Sequence, residues 1–165
     1  MPPKPPTAID LLLDQHREVE ELFAELDEAE DAGDCEDLGS LICDKLAIHA
    51  RIEEKLFYPS VKTEETEEML LESVEEHLEV KRCIADLLKI PCGDYRYKAT
   101  AKVLRGLVAR HVEEEETGLF PKVRRIVDED RLVALGQEMM EMVVDLEGTD
   151  ARLEVPKETN APAPL

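Results

Sequence analysis

The four histidines of this 165-residue chain fall into one pattern that occurs twice. Two of them begin a His-x-x-x-Glu motif, one running from His49 to Glu53 and the other from His111 to Glu115. A proline follows ten residues after each of these histidines, and the residue before that proline is aromatic. Residues four apart lie on one face of an α-helix, so each motif predicts a helix that presents an imidazole and a carboxylate to the same point.

The other two histidines match each other as well. His16 and His77 both begin a His-x-Glu-Val sequence, and they precede the motif histidines by 33 and 34 residues. The chain therefore predicts a duplicated two-helix unit, with one histidine on the first helix and the motif on the second. Two such units would bring four imidazoles and two carboxylates together, and bundles that hold two metal ions use inward-facing ligands of this kind.

Apolar residues at helical spacing divide the chain into five predicted helices. Each of the first four contains one histidine, and the second and fourth are predicted to end near Pro59 and Pro121. A fifth helix runs from a cap at Asp128 or Asp130 to Gly148. Short connections make neighbouring helices antiparallel, so the predicted fold is all-α, an up-down-up-down four-helix bundle with an additional C-terminal helix.

The predicted organisation follows from these helices and from composition at the two ends. Residues 1–6 are rich in proline and predict an extended tail. The bundle and its fifth helix comprise residues 7–147. Residues 148–165 predict a flexible C-terminal tail, which is a candidate docking segment for a protein partner.

Composition excludes several classes of function. The net charge of −20 repels phosphate backbones, which argues against binding of nucleic acid. No apolar run reaches the roughly 18–20 residues needed to cross a bilayer, and the Pro-rich start does not resemble a signal peptide. We therefore expect a cytoplasmic protein without membrane contact, in which the four cysteines are reduced thiols.

The repeated pattern favours a metal site over a set of core histidines. One histidine on an apolar face is commonly a hydrogen-bonded core residue, but here that explanation would have to apply four times. Glu53 and Glu115 share their helix faces with histidines, and burying a carboxylate without a partner costs several kcal/mol. A metal ion removes that penalty. Imidazole and carboxylate ligands together suit iron, zinc or manganese better than metals that prefer thiolate.

With these features the sequence resembles the hemerythrin-like, or HHE cation-binding, family over residues from about 8 to 147. The resemblance rests on the two single histidines and on the two motifs with their aromatic-Pro endings. It implies a four-helix bundle around a non-haem di-iron centre, two iron ions joined by an oxo or hydroxo bridge. The implied ligands are His16 and His49 for one iron, His77 and His111 for the other, and Glu53 and Glu115 as bridges.

One departure from the oxygen-carrying hemerythrins bears on function. Those proteins have two histidines four residues apart on the third helix, whereas here Ser73 and Lys81 flank His77 at that distance. Fewer histidines leave more open positions on the irons, which favours reacting with or sensing O₂, peroxide or NO over reversible O₂ carriage. The alternative function is iron handling, meaning storage or oxidation of Fe(II). Whether the chain is an enzyme with oxidoreductase activity, and its oligomeric state, are left open by the sequence.

Three further side chains stay open as members of the site. Oxygen carriers place the last carboxylate five residues after its histidine, which would be Glu116, although the repeat favours Glu115. Glu20 lies four residues after His16, and its simpler interpretation is a solvent-facing acid. Tyr58 lies nearly opposite His49 on an α-helix, which predicts packing at the bundle end, with metal ligation or hydrogen bonding as the alternative. Lys81 is predicted to extend outward.

Overall fold

The computed structural model describes all residues 1–165, and its regular elements are all helical. The α-helices in chain order are α1 (Ala8–Glu28), α2 (Ala32–Ile52), α3 (Tyr58–Val61), α4 (Glu67–Leu87), α5 (Tyr95–Glu114), α6 (Phe120–Ile126) and α7 (Glu129–Leu146). Helix α1 packs against α2 and α4 packs against α5, while α7 packs against α1 and α2. This confirms the predicted all-α bundle with an additional C-terminal helix. None of the helices combines the length and the apolar composition that crossing a membrane requires.

Local sequence fixes where the first two helices begin. Thr7 caps α1 by accepting a hydrogen bond from the Asp10 backbone N–H at 3.1 Å, and the Asp10 carboxylate accepts from the Thr7 N–H at 2.9 Å. Asp31 caps α2 by accepting from the backbone N–H groups of Gly33 and Asp34. Such caps satisfy N–H groups that have no partner within the helix. They set the register from which His16 and the motif at His49 face the interior.

The second helix of each unit continues past the proline at which we predicted it to end. Helix α2 runs through a π-helical turn at Glu53–Phe57 into α3, and α5 runs through a π-helical turn at Glu115–Leu119 into α6. In both turns the next backbone N–H donates to the carbonyl five residues earlier, which is the carbonyl of the motif glutamate.

The prolines give a physical reason for these turns. A proline inside a regular α-helix clashes with the carbonyl four residues before it and leaves that carbonyl without a donor. Here each wide turn ends shortly before the proline, so that Pro59 and Pro121 lie in the first turn of the helix that follows. A missing N–H is tolerated at that position. Turns of this type inside helices are frequent at functional sites, and each of these begins at a motif glutamate.

Buried apolar residues form two clusters on either side of the level of the histidines. On α1, Leu12 belongs to the first cluster and Val19 to the second, with His16 between them. Helix α7 covers the end of the bundle that contains the first cluster. There Gly136 approaches the α1 terminus so closely that a Cβ atom would lie 2.8 Å from the Ala8 backbone nitrogen. The polar level between the two apolar clusters is therefore held in place from both ends.

The C-terminal segment differs from the flexible tail predicted for it. Ala151–Glu158 form a 3₁₀-helix that packs along α2 and α4. Val155 is 2% exposed within the second apolar cluster, and Arg152 forms an ion pair with Asp44 at 2.9 Å. One buried apolar anchor and charged partners on α2 and α4 attach this segment. The domain boundaries themselves remain predictions.

The four cysteines are free thiols. Burial raises the pKa of Cys43 to about 12 and, together with the nearby thiol of Cys92, raises that of Cys35 to about 11. Because the thiolate is the reactive form, these two side chains are unreactive at neutral pH. Both side chains pack in the second apolar cluster as small apolar residues.

Candidate metal centre

All six residues predicted as ligands lie together in the middle of the bundle, and each is at most 8% exposed. Their nitrogen and oxygen atoms form two groups, within each of which one atom per residue lies within 4.8 Å of every other. We call them the first metal cluster (His16, His49, Glu53, Glu115) and the second metal cluster (Glu53, His77, His111, Glu115). The grouping follows from the geometry alone, and the role of these residues as ligands stays a prediction.

Glu53 divides its two carboxylate oxygens between the clusters. Its Oε1 lies 3.2 Å from His49 Nε2, and its Oε2 lies 3.0 Å from His77 Nε2. The first distance joins residues one helical turn apart, as the motif predicts. The second crosses from α2 to α4, so the same carboxylate faces both units of the repeat.

Glu115 repeats this arrangement from the other unit. Its Oε2 lies 3.3 Å from His16 Nε2 on α1, and its Oε1 lies 3.0 Å from His111 Nε2. With Glu53, it gives each cluster two imidazole nitrogens and two carboxylate oxygens. Two carboxylates that each face two clusters have the geometry of bridging ligands in two-metal bundles.

The first metal cluster contains every buried side-chain nitrogen or oxygen that has no hydrogen-bond partner. These atoms are Nε2 of His16, Nε2 of His49, Oε1 of Glu53 and Oε2 of Glu115. A buried polar atom without a partner costs about 1–3 kcal/mol, and a charged one more. All four are electron-pair donors that converge on one point, so a bound cation satisfies them together. The residues present therefore fit a metal ion.

Tyr58 lies inside the site, which corrects the prediction that it packs at the bundle end. Its side chain is fully buried, and its hydroxyl donates to Glu115 Oε1 at 2.8 Å. The same oxygen lies 3.1 Å from Glu53 Oε2 and 3.2 Å from His77 Nε2. The π-helical turn explains the difference, because residues five apart align in such a turn and Tyr58 is five residues after Glu53.

The hydroxyl makes the two metal clusters unequal. Phe120 occupies the position of Tyr58 in the other unit and has no polar group to offer. Its ring stacks on the imidazole of His16, with centroids 5.8 Å apart and planes inclined by 11°. The second metal cluster therefore has a phenol at its centre, while the first has an apolar ring beside it.

A ring of outer partners holds the four imidazoles. Each Nδ1 lies against an oxygen from a neighbouring helix: Glu116 for His16 at 2.9 Å, Gln15 for His49 at 2.7 Å, Glu54 for His77 at 2.9 Å and Glu76 for His111 at 2.7 Å. Carboxylate and amide oxygens can only accept, so each Nδ1 donates its proton and each Nε2 is the nitrogen that faces the metal clusters. Outer partners of this kind orient metal-binding histidines and raise their basicity.

Most of this ring was not predicted, although the repeat contains a signal for it. Gln15 and Glu76 directly precede the single histidines, and Glu54 and Glu116 directly follow the motif glutamates. A side chain adjacent to an inward-facing ligand points roughly 100° away around the helix, towards the neighbouring helix. Glu116, considered above as an alternative ligand, takes this outer position.

Two other open assignments are also settled by contacts. Glu20 lies outside the site, where its half-exposed carboxylate pairs with Arg105. Lys81, which we predicted to extend outward, is instead buried and donates to Glu54 at 2.9 Å. Burial is tolerated because the ammonium also lies 3.2 Å from Glu158 of the C-terminal segment.

A small cavity lies against the four imidazoles. It measures about 30 Å³ and is lined by the four histidines, Gln15 and six apolar residues: Val19, Leu46, Ala50, Val80, Val108 and Val112. A volume of this size holds one or two molecules as small as water. The carboxylates and Tyr58 do not line it, so the histidine side of the site is the side with free space.

Electrostatics within the site favour a charged, proton-sharing network when no metal is bound. Burial opposes ionisation of His111, but Glu115 and Glu53 outweigh it and hold the pKa of His111 well above its usual range. Burial likewise opposes ionisation of Glu53, yet the surrounding imidazoles hold its pKa well below normal. The pKa values of His16 and His77 are also raised, for the same reason as that of His111.

These shifts predict opposite pH dependences for the metal-free and the metal-bound protein. A raised histidine pKa adds stability below the unfolded value of about 6.5, and this is lost as pH rises through the folded pKa. We therefore expect the Tm of metal-free protein to fall as the pH rises above about 6.5. Metal affinity should rise over the same range, because binding requires neutral imidazole. Calorimetry of both forms checks this; a metal-free Tm that rises with pH would contradict the proton-sharing network.

Comparison with known proteins bears on this geometry. The hemerythrin HHE cation-binding domain family matches residues 7–123. A crystal structure of an HHE cation-binding domain-containing protein from Mycobacterium kansasii superposes with a TM-score of 0.79 over 94% of this chain and 95% of that one, at 22% identity, and so shares the fold. A DNA nickase from Nostoc sp. is 30% identical over 115 residues, which is 70% of this chain and 33% of that protein. The chain thus spans about a third of that relative's length. The family match and the two metal clusters together support binding of metal cations.

Proposed function

This chain belongs to the hemerythrin HHE cation-binding family, and from that premise we propose that its two metal clusters hold two iron ions that react with or sense O₂, peroxide or NO. The observation that carries the proposal is the set of four buried donor atoms without partners in the first metal cluster. The two histidines among these donors line the same cavity as the histidines of the second metal cluster, and the two clusters share both carboxylates.

The donor set supports iron as the metal. Four imidazoles and two carboxylates, with a phenol among them, combine intermediate nitrogen donors with hard oxygen donors. No cysteine is among the ligands, which disfavours metals that prefer sulfur. When bound, two adjacent irons supply one-electron redox chemistry to O₂, peroxide or NO.

The cavity supports a very small reactant. Its volume of about 30 Å³ admits two- to four-atom molecules and excludes an organic substrate. Apart from the histidines and Gln15 its walls are apolar, so they favour an uncharged molecule and limit the water that can enter. Gln15 holds His49 Nδ1 with its amide oxygen at 2.7 Å, which leaves its amide N–H groups as donors beside the cavity.

Tyr58 is placed to supply a proton to the second metal cluster. Burial and the adjacent Glu115 and Glu53 carboxylates raise its pKa well above the usual value, so it keeps its proton at neutral pH. Its O–H points at Glu115 Oε1. A hydroxyl held in this way is a fixed hydrogen-bond donor, and because its pKa is raised it gives up its proton only to a strong base.

Two other functions receive less support. Storage of iron as a mineral needs a large interior, which a cavity of about 30 Å³ does not offer. The DNA activity in the name of the Nostoc relative has no support in this chain. This chain spans a third of that protein, and a net charge of −20 disfavours contact with DNA.

The proposal predicts both a metal count and a reaction. Protein purified after growth with ample iron should contain two irons per chain and absorb in the near ultraviolet, as measured by elemental analysis and optical spectroscopy. Reduced without oxygen and then mixed with O₂ or hydrogen peroxide, it should be oxidised without releasing O₂ under vacuum. A metal content of one ion per chain, or zinc instead of iron, would contradict the di-iron proposal. Repeated reversible release of O₂ would identify a carrier.

A further inference from the structure

The duplicated unit gives the bundle two equivalent seams, and they carry opposite charges. One seam lies between α1 and α5, and the other between α4 and α2. On the first helix of each unit, four residues after the histidine, Glu20 of one seam corresponds to Lys81 of the other. On the second helix, two residues after the motif histidine, Glu113 corresponds to Arg51. Two acids on one side thus take the place of two bases on the other.

The C-terminal segment closes the basic seam. Ala151–Glu158 lie along α2 and α4, and Glu158 reaches Arg51 at 2.7 Å and Lys81 at 3.2 Å. Lys81 also donates to Glu54, the outer partner of His77. Charges on this side are therefore matched, Lys81 is buried, and the C-terminal segment covers the path from this seam to the metal clusters.

The acidic seam is open. A groove of about 310 Å³ lies between α1 and α5, and its polar lining consists of His16, Glu20, Glu113, Glu116 and Thr117. Glu20 pairs with Arg105, whereas Glu113 forms no ion pair and Glu116 contacts only His16. The exposed face of the groove therefore keeps a negative charge.

His16 connects this groove to the interior. Its side chain is only 4% exposed, and it lines both the groove and the inner cavity, as do Val108 and Val112. Its Nδ1 faces Glu116 on the groove side, and its Nε2 belongs to the first metal cluster and has no partner. The side chain at the inner end of the groove is thus itself a donor to the proposed metal.

We propose that the α1/α5 groove is the path by which a divalent cation reaches the two metal clusters. This inference rests on the proposed metal-binding function. A line of carboxylates concentrates cations at its opening and raises the rate at which they associate. The matching seam cannot serve, because Glu158 occupies it between Arg51 and Lys81. Cations therefore arrive at the His16 side first, and the C-terminal segment determines that only one side is used.

The test compares rates of metal uptake with the final metal content. Metal-free protein is mixed with Co²⁺ in the absence of oxygen, and uptake is followed by visible absorption in a stopped-flow instrument. The double variant Glu20→Lys/Glu113→Lys gives the groove the charges of the closed seam. We expect it to take up Co²⁺ about tenfold more slowly at low salt, with a smaller difference at high salt, because steering is screened. Its final content should equal that of the wild type.

The control is Glu25→Lys/Glu141→Lys, which makes the same change in net charge at exposed acids that form no ion pair and do not line the groove. Its uptake rate should stay within about twofold of the wild type. Equal slowing in both double variants would show an effect of overall charge and overturn the path, and so would an unchanged rate in the groove variant. A wild type that binds fewer than two Co²⁺ per chain would instead contradict the two-metal proposal, whatever the rates are.

Discussion

Replacing Glu115 with alanine is expected to reduce the metal content from two ions per chain to fewer than one. Glu115 contributes one oxygen to each metal cluster, at 3.3 Å from His16 Nε2 and 3.0 Å from His111 Nε2. Its loss therefore weakens both positions at once. His49→Ala removes a donor from the first metal cluster alone, and we expect it to leave about one ion per chain. Elemental analysis of both variants, purified in parallel, distinguishes these outcomes.

Glu115→Ala should also remove most of the stabilisation that bound metal gives to the folded protein. A ligand at a free concentration 1,000 times its Kd stabilises the folded state by about 4 kcal/mol. For a domain of this size each kcal/mol shifts Tm by roughly 2–4 °C, so metal should raise the Tm of the wild type by about 10 °C. Glu115→Ala should show almost none of this increase. Calorimetry with and without added Fe(II) under anaerobic conditions gives both values.

Glu20→Ala is the matched control for Glu115→Ala. Glu20 is also four residues after a histidine on its helix, but its carboxylate is exposed and paired with Arg105. The variant should keep two ions per chain and the full Tm increase. If it loses metal as completely as Glu115→Ala, the assignment of ligands is wrong. Glu116→Ala should lie between the two, because losing an outer partner of His16 typically lowers metal affinity 10–100-fold.

The sequence predicted the bundle and the convergence of the site because both depend on periodicity. A His-x-x-x-Glu motif places its two side chains on one helix face wherever the helix lies, and a repeat of the motif places a second pair opposite. The helix caps at Thr7 and Asp31 likewise involve only residues up to three positions away in the sequence. Such features depend on neighbours within a few residues, which is the range over which sequence alone determines conformation.

The features that were not predicted depend on departures from regular geometry or on distant contacts. Tyr58 was placed on the wrong face because nine residues of regular α-helix were assumed after His49, whereas a π-helical turn intervenes. The C-terminal segment has little helical pattern, and it is attached by Val155 and by charges that meet partners over 70 residues away in sequence. Lys81 appeared to be a surface residue because its partner Glu158 lies in that segment. No local rule connects these residues.

Tyr58→Phe is expected to keep both metal ions but to slow the reaction of the reduced protein with hydrogen peroxide by about 100-fold. The substitution removes the hydroxyl that donates to Glu115 at 2.8 Å and leaves all six predicted ligands in place. Loss of a positioned proton donor typically lowers a rate by 10²–10⁴. The phenylalanine ring fills nearly the same volume, and Phe120 already occupies the equivalent position in the other unit. The fold should therefore tolerate it.

Tyr95→Phe is the control, since it removes a hydroxyl from a side chain that is 88% exposed and lies outside the site. Its reaction rate should equal that of the wild type in stopped-flow measurements. A Tyr58→Phe rate within twofold of the wild type would show that the phenol does not supply the proton. If the Tyr58→Phe protein holds only one metal ion, the phenol oxygen is itself a ligand. The metal count and the rate, measured on the same sample, separate the two roles, because a donor changes only the rate and a ligand changes both.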